Sequence, residues 1–444
     1  MLPIYPDSPG EFTMYDEAAL HIEADWTLNN AHDPGIIKTD QGYYVFSTDV
    51  KVGGELTPGV MVRKSQDLIH WEWVHYALPG IPQVAKDWAE SINLWAPDVV
   101  KHGNQYRMYY SASTFGSRQS LIGLQTATSI EGPWTDEGVV IKTRAEDHLN
   151  AIDANVLTDV EGRLWMVYGS FFGGIHLIEL DIESGKPKVE GFGKLIAKRD
   201  MVTEDGAVEG PYIVYNEQFK KYYLFVSYDS LFEDYNVRVA RSDSISGPYV
   251  DYNGRDLSDI EYLPQYDVGT KILGGYRFGE DPGWIAPGHN SVLNDDGTYY
   301  MVHHARGELD KHWSYLHVRK IVWTEDGWPV VSPERYAGEI EQDIPASLIS
   351  GSWERIVMKP SVDGQVQSSS ITIRDNGSLE GEYGVGQWSF DGKRTLTLIW
   401  SDILEGDGRT EKVQLIPSWD WEKNKQTLVF TGLNEIGVSI WGKK

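Results

Sequence analysis

Five times a short aromatic strand of one kind recurs in this chain: GYYVFST from Gly42, NQYRMYYSAS from Asn104, GRLWMVYGS from Gly162, KYYLFVSYD from Lys221 and GTYYMVHHA from Gly297. Self-similarity at a long, nearly regular period marks repeated supersecondary units, and it constrains the architecture before any single residue is interpreted. A spacing of roughly sixty residues suits one four-stranded antiparallel unit with its loops, and five such units arranged radially make a five-bladed β-propeller. The last interval is the longest and implies an insertion around residues 250–285. Each aromatic strand follows a turn with Gly, Asp or Asn, and several lead into a more polar run such as VRKSQDLIHWEWV from Val62, so the units read as meanders of short strands. Helical periodicity is almost absent.

The fifth unit closes with HVRKIVWTEDGWPVVSP, ending near Pro333, and ERYAGEIEQDIPASLISGS reads as a linker. From about residue 347 the pattern changes to closely spaced hairpins with NG, DG and GK turns, as in SSITIRDNGSLEGEYGVGQWSFDGKRTLTLIW. The expectation is an all-β chain: a propeller over 1–346, then a separate small antiparallel β-barrel or sandwich over 347–444. A sixth blade is the competing reading of the second part; its shorter turn spacing and missing repeat motif stand against it.

With 41% hydrophobic residues and 12% aromatics the chain can fill sizeable cores. A formal charge of −27, without a compensating basic stripe, argues against nucleic acids and anionic membrane surfaces as partners. The absence of cysteine excludes disulfides, thiolate metal sites and a cysteine nucleophile, and leaves the compartment open. No apolar run reaches the length of about 20 residues that crosses a bilayer as a helix, so a soluble monomer is expected. MLPIYPDSPGEFTMYDEAAL carries no visible export signal: the reading is secreted if a signal was removed, and otherwise cytoplasmic. There is no HExxH helix, no Walker loop and no GxSxG elbow.

Function must come from the site, because a propeller hosts many chemistries. Three acids stand out, each a few residues upstream of an aromatic strand: Asp33 in AHDPGII, Asp153 in NAIDANV and Glu209 in VEGPYIV. Asp33 and Glu209 each also suit a turn before Pro or Gly-Pro. Asp153 sits in apolar surroundings, where a carboxylate is costly unless paired or used. Corresponding positions of a radial repeat converge on the axis, and three acids gathered there must shift one another's pKa values. Asp98, beside Pro97, reads as structural.

At these residues the sequence resembles the family 43 glycoside hydrolases, and within them the two-domain endo-α-1,5-L-arabinanases. The resemblance covers roughly residues 25–335 and rests on AHDPGII, LWAPDVV, NAIDANV, VEGPYIV and APGHNSV in this order. It implies inverting hydrolysis of internal α-1,5 bonds of linear arabinan, with Asp33 as general base, Glu209 as general acid and Asp153 as the group that raises the acid's pKa and orients it. Inversion needs the base and the acid roughly 6.5–9.5 Å apart, to leave room for a water. The resemblance also implies that His289, in APGHNSV, holds a calcium ion whose shell is mostly water; calcium prefers oxygen ligands, so sodium or chloride is an alternative. Arg306 is a candidate for anchoring sugar hydroxyls or keeping a carboxylate ionised. Trp95, Phe115 and Phe171 are candidate stacking faces for sugar rings, and Asn150 and Ser170 candidate hydroxyl contacts. Two other readings stay open: an exo-acting arabinanase, arabinofuranosidase or β-xylosidase of the same family, and a carbohydrate-binding propeller without activity.

Overall fold

In the computed structural model, which describes residues 2–382, 384–401 and 408–444, the aromatic repeats are the second strands of five four-stranded antiparallel sheets. These strands run Gly42–Ser47, Gln105–Ala112, Leu164–Tyr168, Lys221–Tyr228 and Thr298–Arg306, and they are almost wholly buried because they lie between neighbouring blades. The first strand of each blade lies innermost: Gly35–Thr39, Trp95–His102, Asn155–Thr158, Val208–Asn216 and Ile285–Asp295. Each inner strand touches those of the two adjacent blades, from blade 1 round to blade 5 and back, so the ring is closed. The expected insertion lies between the third and fourth strands of blade 4, Asn236–Ser242 and Thr270–Leu273, and continues into Gly275–Arg277.

One position near the start of each inner strand fastens its blade to the next. Asp98 accepts the Val156 N–H at 2.7 Å, Asn155 accepts the Ile213 N–H at 2.9 Å, the Tyr212 hydroxyl meets the Val292 backbone, and Ser291 donates to the Pro34 carbonyl at 2.6 Å. In blade 1 the same position is Gly35, where any Cβ would collide with the Pro97 carbonyl oxygen. The structural reading of Asp98 therefore holds. Its carboxyl is fully buried, and desolvation pushes it up to about 7 despite the two hydrogen bonds it receives from blade 3.

The second part is a closed eight-stranded barrel in which Gly351–Met358 pairs with Ser439–Lys443. Its interior is filled by side chains including Trp353, Leu396, Leu398, Phe430 and Ile440. It is not separate in packing. Ile356, Met358, Val429, Leu433 and Trp441 of the barrel belong to one buried cluster with Tyr223, Val239 and Trp328 of blades 4 and 5. Gly275–Arg277 pairs in parallel with Gln365–Gln367 across the junction. At its edge the Lys443 ammonium is buried among Glu334 (2.9 Å), Asp420 (3.2 Å), Asp281 (3.4 Å) and Glu422 (3.9 Å). Glu422 also accepts from the indole of Trp284 at 3.0 Å, beside the start of blade 5's inner strand.

This shared core predicts that the barrel is a brace. A chain cut after residue 346 uncovers the apolar faces of blades 4 and 5 and leaves Glu334 and Trp284 without partners, so it should aggregate or melt well below the intact protein. Thermal unfolding with light scattering checks this; a soluble fragment with the intact melting temperature would show that the barrel is dispensable.

Candidate active site

Every inner strand is entered through a residue in the left-handed backbone region: Asp33 (φ 49°), Ala96 (40°), Asp153 (63°), Gly210 (56°) and His289 (47°). The registers make these five equivalent, each two residues before Gly35, Asp98, Asn155, Tyr212 and Ser291, which pair with Phe46, Tyr109, Val167, Phe225 and Val302. Such a residue turns its amide toward the preceding blade, where a side chain at the end of the aromatic strand catches it. Thr48 accepts the Ala96 N–H at 2.7 Å, Ser111 that of Asp153 at 2.9 Å, Ser227 that of His289 at 2.8 Å, and His304 Nδ1 that of Asp33 at 3.2 Å. In blade 3 the catching position is Gly169, which has no side chain. The Asp153 carboxylate reaches across instead and accepts the Gly210 N–H at 3.1 Å.

The three acids and His289 thus meet at one end of the channel. Asp33 and Asp153 are equivalent, whereas Glu209 lies one residue before its blade's turning point, in line with His32 and Trp95. Asp153 holds the backbone directly after Glu209, which orients the latter. Glu209 accepts from Tyr235 on one oxygen (2.8 Å) and from Ser170 on the other (2.9 Å). Asp33 accepts from Thr48 at 2.6 Å and faces His32 Nδ1 at 2.8 Å and His289 Nδ1 at 3.0 Å. A column of rings joins the two ends of the site: His32 stacks on His304 at 3.9 Å, and His304 on Tyr235 at 5.8 Å.

Asp33 and Asp153 are buried and Glu209 and His289 half-buried, and their surroundings separate their protonation. Burial would raise Asp33, but the charge and hydrogen bonds of His289 and His32 outweigh it and hold its carboxyl well below the ordinary range. Burial raises Glu209, and neighbouring Asp33 adds to this against His289, Tyr235 and Ser170. Burial likewise pushes Asp153 up, to about 8, with Glu209 and Asp33 adding to it. Asp153 and Glu209 thus act on each other and keep a proton between them at neutral pH. Desolvation disfavours the imidazolium of His289, yet Asp33, Asp153 and Glu209 together push it up to about 9. One carboxyl biased toward its ionised form and one toward its protonated form on a shared site is the division that general base and general acid require.

The remaining candidates fall in varied places. Arg306 does not point a free fork at the site: its three nitrogens meet the Leu231 and Lys311 carbonyls and His32 Nε2 (2.7 Å). It therefore fixes His32 with the proton on Nδ1, toward Asp33. The Ser170 hydroxyl donates to Glu209 instead of standing free for sugar, and Asn150 accepts from Ser120 at 2.6 Å, bracing a blade 2 loop. Trp95 is half-buried at the head of blade 2's inner strand, and Phe171 is half-buried in a blade 3 turn. Phe115 is 77% exposed on a blade 2 loop. Sequence reasoning missed Thr48, His32, His304 and Tyr235. A signal for Thr48 and His304 was present, since both end an aromatic repeat at the place where Ser111 and Ser227 stand.

The cluster of His32, Asp33 and His304 has metal-like spacing, but Arg306 and the Asp33 N–H occupy the lone pairs of the two imidazoles. The cluster of Glu334, Asp420 and Glu422 encloses Lys443. His289 differs: with Nδ1 on Asp33, its Nε2 has no hydrogen-bonding partner among the described residues, and three carboxylates surround it. That donor set could hold a cation through one imidazole nitrogen and water once the imidazolium has given up its proton.

Thr48 yields a signed prediction. Its hydroxyl stabilises ionised Asp33 and accepts the Ala96 amide, so Thr48→Val should raise the Asp33 pKa and move the acid limb of the kcat/KM profile to higher pH. The orphaned amide should also cost about 1–3 kcal/mol of stability. An acid limb that stays in place would remove Asp33 from the role of base.

Comparison with known proteins agrees with this geometry. The family model described as glycosyl hydrolases family 43 matches residues 28–329, and one described as a C-terminal lipocalin-like domain matches residues 333–442. The chain is 34% identical to an extracellular endo-α-(1→5)-L-arabinanase of Thermotoga petrophila, covering 93% of each chain. It is 31% identical to extracellular endo-α-(1→5)-L-arabinanase 2 of Bacillus subtilis, covering 94% of this chain and 93% of that one. The crystal structure of an endo-1,5-α-L-arabinanase from Thermotoga petrophila superposes with a TM-score of 0.84 at 34% identity, over 94% of this chain and 98% of that one. By its propeller, its ring of acids and its barrel, this chain belongs to the family 43 glycosyl hydrolases.

Proposed function

We propose that this protein hydrolyses internal α-1,5-L-arabinofuranosidic bonds of linear arabinan with inversion, acting outside the cell. The observation that carries the mechanism is the opposite bias of two carboxyls in one site: the imidazoles hold Asp33 well below the ordinary carboxylate range, and burial raises Glu209 above it. The substrate and the extracellular setting rest on likeness along the whole chain, barrel included, to proteins named as extracellular endo-arabinanases. No helix among the described residues is long and apolar enough to cross a membrane.

In the reaction Asp33 draws a proton from a water on one side of the furanose ring while that water attacks C1. Glu209 gives its proton to the departing glycosidic oxygen, and the C1–O bond breaks. Asp153 keeps Glu209 in place through the Gly210 amide and favours its protonated form. Tyr235 and Ser170 fix both oxygens of Glu209, so the donated proton keeps one direction. His289 would hold a cation, calcium or sodium, through Nε2, where the ion would supply positive potential beside the acids. Because a proton and a metal compete for that nitrogen, ion binding should weaken as pH falls.

Incubation with debranched linear arabinan, with an aryl arabinofuranoside and with an aryl xyloside, followed by product size over time, tests the reading. An early ladder of mixed oligosaccharides from arabinan is expected, and Glu209→Ala should slow it by about 10²–10⁴-fold, the usual contribution of a general acid. Early monomer or one product length would replace the endo reading with an exo one, and silence on all three substrates would leave a binding propeller. For the ion, exhaustive chelation should lower both the melting temperature and kcat, with recovery on adding calcium. Unchanged values would discard calcium.

A further inference from the structure

Taking the arabinan reading above as its base, we propose that the face of the propeller opposite the acids carries a second, non-catalytic saccharide site. The acids stand where the inner strands begin. Where the inner strands of blades 3, 4 and 5 end, at Thr158, Asn216 and Asp295, the structure has a cavity of about 590 Å³, within the range of small-ligand sites. Its wall includes Thr158, Tyr215, Glu217, Gln218, Tyr299 and Trp323.

Three features of this wall point to an uncharged sugar. The first is flat apolar surface already fixed in place: Tyr215 leans on Tyr222 at 4.8 Å, and Trp323 is held by Tyr223 at 4.8 Å, Tyr299 at 5.1 Å and Phe219 at 5.8 Å. Rings immobilised before binding lose little freedom when a sugar face stacks on them. The second is an uneven use of polar groups. Asp159, Asn216 and Asn294 are committed to their own turns and neighbours, which makes firm walls. Thr158, Glu217 and Gln218, by contrast, are exposed and Tyr215 is half-buried, and their side-chain polar groups have no hydrogen-bonding partner among the described residues. A ligand dense in hydroxyl groups would bond to these free groups together while its apolar face lies on the rings.

The third feature is charge. The lining contains Asp159 and Glu217 and no Lys, Arg or His, so phosphorylated or uronic-acid ligands are repelled and a neutral glycan is not. The barrel takes part at one remove: Gln414 donates to the Trp323 carbonyl at 2.7 Å and so steadies that wall. A site there would hold a distant stretch of the polymer whose other part lies over the acids, raising its local concentration by tethering.

The test uses the full chain made inactive by Glu209→Ala, titrated calorimetrically with linear α-1,5-arabinohexaose. Two sites per chain are expected. Adding Tyr215→Ala or, at an exposed position, Glu217→Ala should weaken the second site by about tenfold or more, worth about 1.4 kcal/mol, and leave the first unchanged. In the active chain the same substitutions should leave kcat/KM on a short arabino-oligosaccharide unaltered and slow release of product from polymer at low concentration. One site per chain, or two sites indifferent to both substitutions, would overturn the proposal. Absence of cleavage by the active chain would instead refute the arabinan reading on which it rests, and a shared loss of melting temperature in both variants would assign the cavity to stability alone.

Discussion

The hydrogen bond between a left-handed turning residue and the blade before it organises this protein. A non-glycine residue in that region costs about 1–3 kcal/mol, and it persists only where its surroundings fix it. Here four of the five turning residues are not glycine, and each has its amide caught by Thr48, Ser111, Ser227 or His304. The same turns aim Asp33, Asp153 and His289 along the axis. Blade closure and assembly of the site are therefore one event, because the bond that joins two blades also fixes the backbone of a functional residue.

Blade 3 departs from the pattern, and the departure has a chemical use. Gly169 cannot catch the next turn, so Asp153 catches it with its own carboxylate and is thereby bound to the residue following Glu209. A second carboxyl buried this close cannot ionise freely beside the first, and the pair retains a proton that neither would hold alone in water. Asp33 has the opposite neighbours, two imidazoles and a hydroxyl, and stays ionised at similar burial. Desolvation is common to all three acids; what separates their roles is that Asp33 has two imidazoles in contact, whereas Asp153 and Glu209 have each other.

Much of this was legible in the sequence. Aromatic strands that must be buried on both faces leave a repeat strong enough to count, so the five blades followed from it, and acids placed just upstream of three repeats were already conspicuous. The equivalence of the acids was legible only to within one residue, because a bulge between Glu209 and Tyr212 shifts the register there. His32 and Tyr235 were not legible, since a hydroxyl or an imidazole looks alike whether it bonds to solvent or to a carboxylate. Ser170 and Arg306 were marked as functional residues, and both lie at the site. Ser170 donates a hydrogen bond to Glu209, and Arg306 divides its donors between His32 and two backbone carbonyls, a distinction that depends on distance and not on residue type. The barrel looked separate because its hairpins have their own period, while the apolar residues it shares with blades 4 and 5 do not differ in type from those that fill its interior.

The shared core also explains why the barrel's charges lie where they do. Lys443 is surrounded by acids from the barrel, the linker and the segment before blade 5, and breaking one side of such a buried cluster would leave the others uncompensated. That makes the junction specific and intolerant of sliding. Through Glu422 it holds Trp284, the residue before the inner strand that ends its turn at His289, and Trp284 in turn packs on His317 at 4.3 Å. A propeller whose fifth blade must close on its first has one seam where disorder would open the axis, and the barrel grips the blade on one side of that seam. The N-terminal segment reaches the same place from the other direction: Gln426 of the barrel donates to Pro6, while Tyr15 receives the Leu309 amide and gives its own to Tyr315. Barrel and strap together clamp blade 5, the blade that supplies His289, His304 and Arg306, so a part of the chain distant in sequence from Asp33 steadies the blade whose histidines face it.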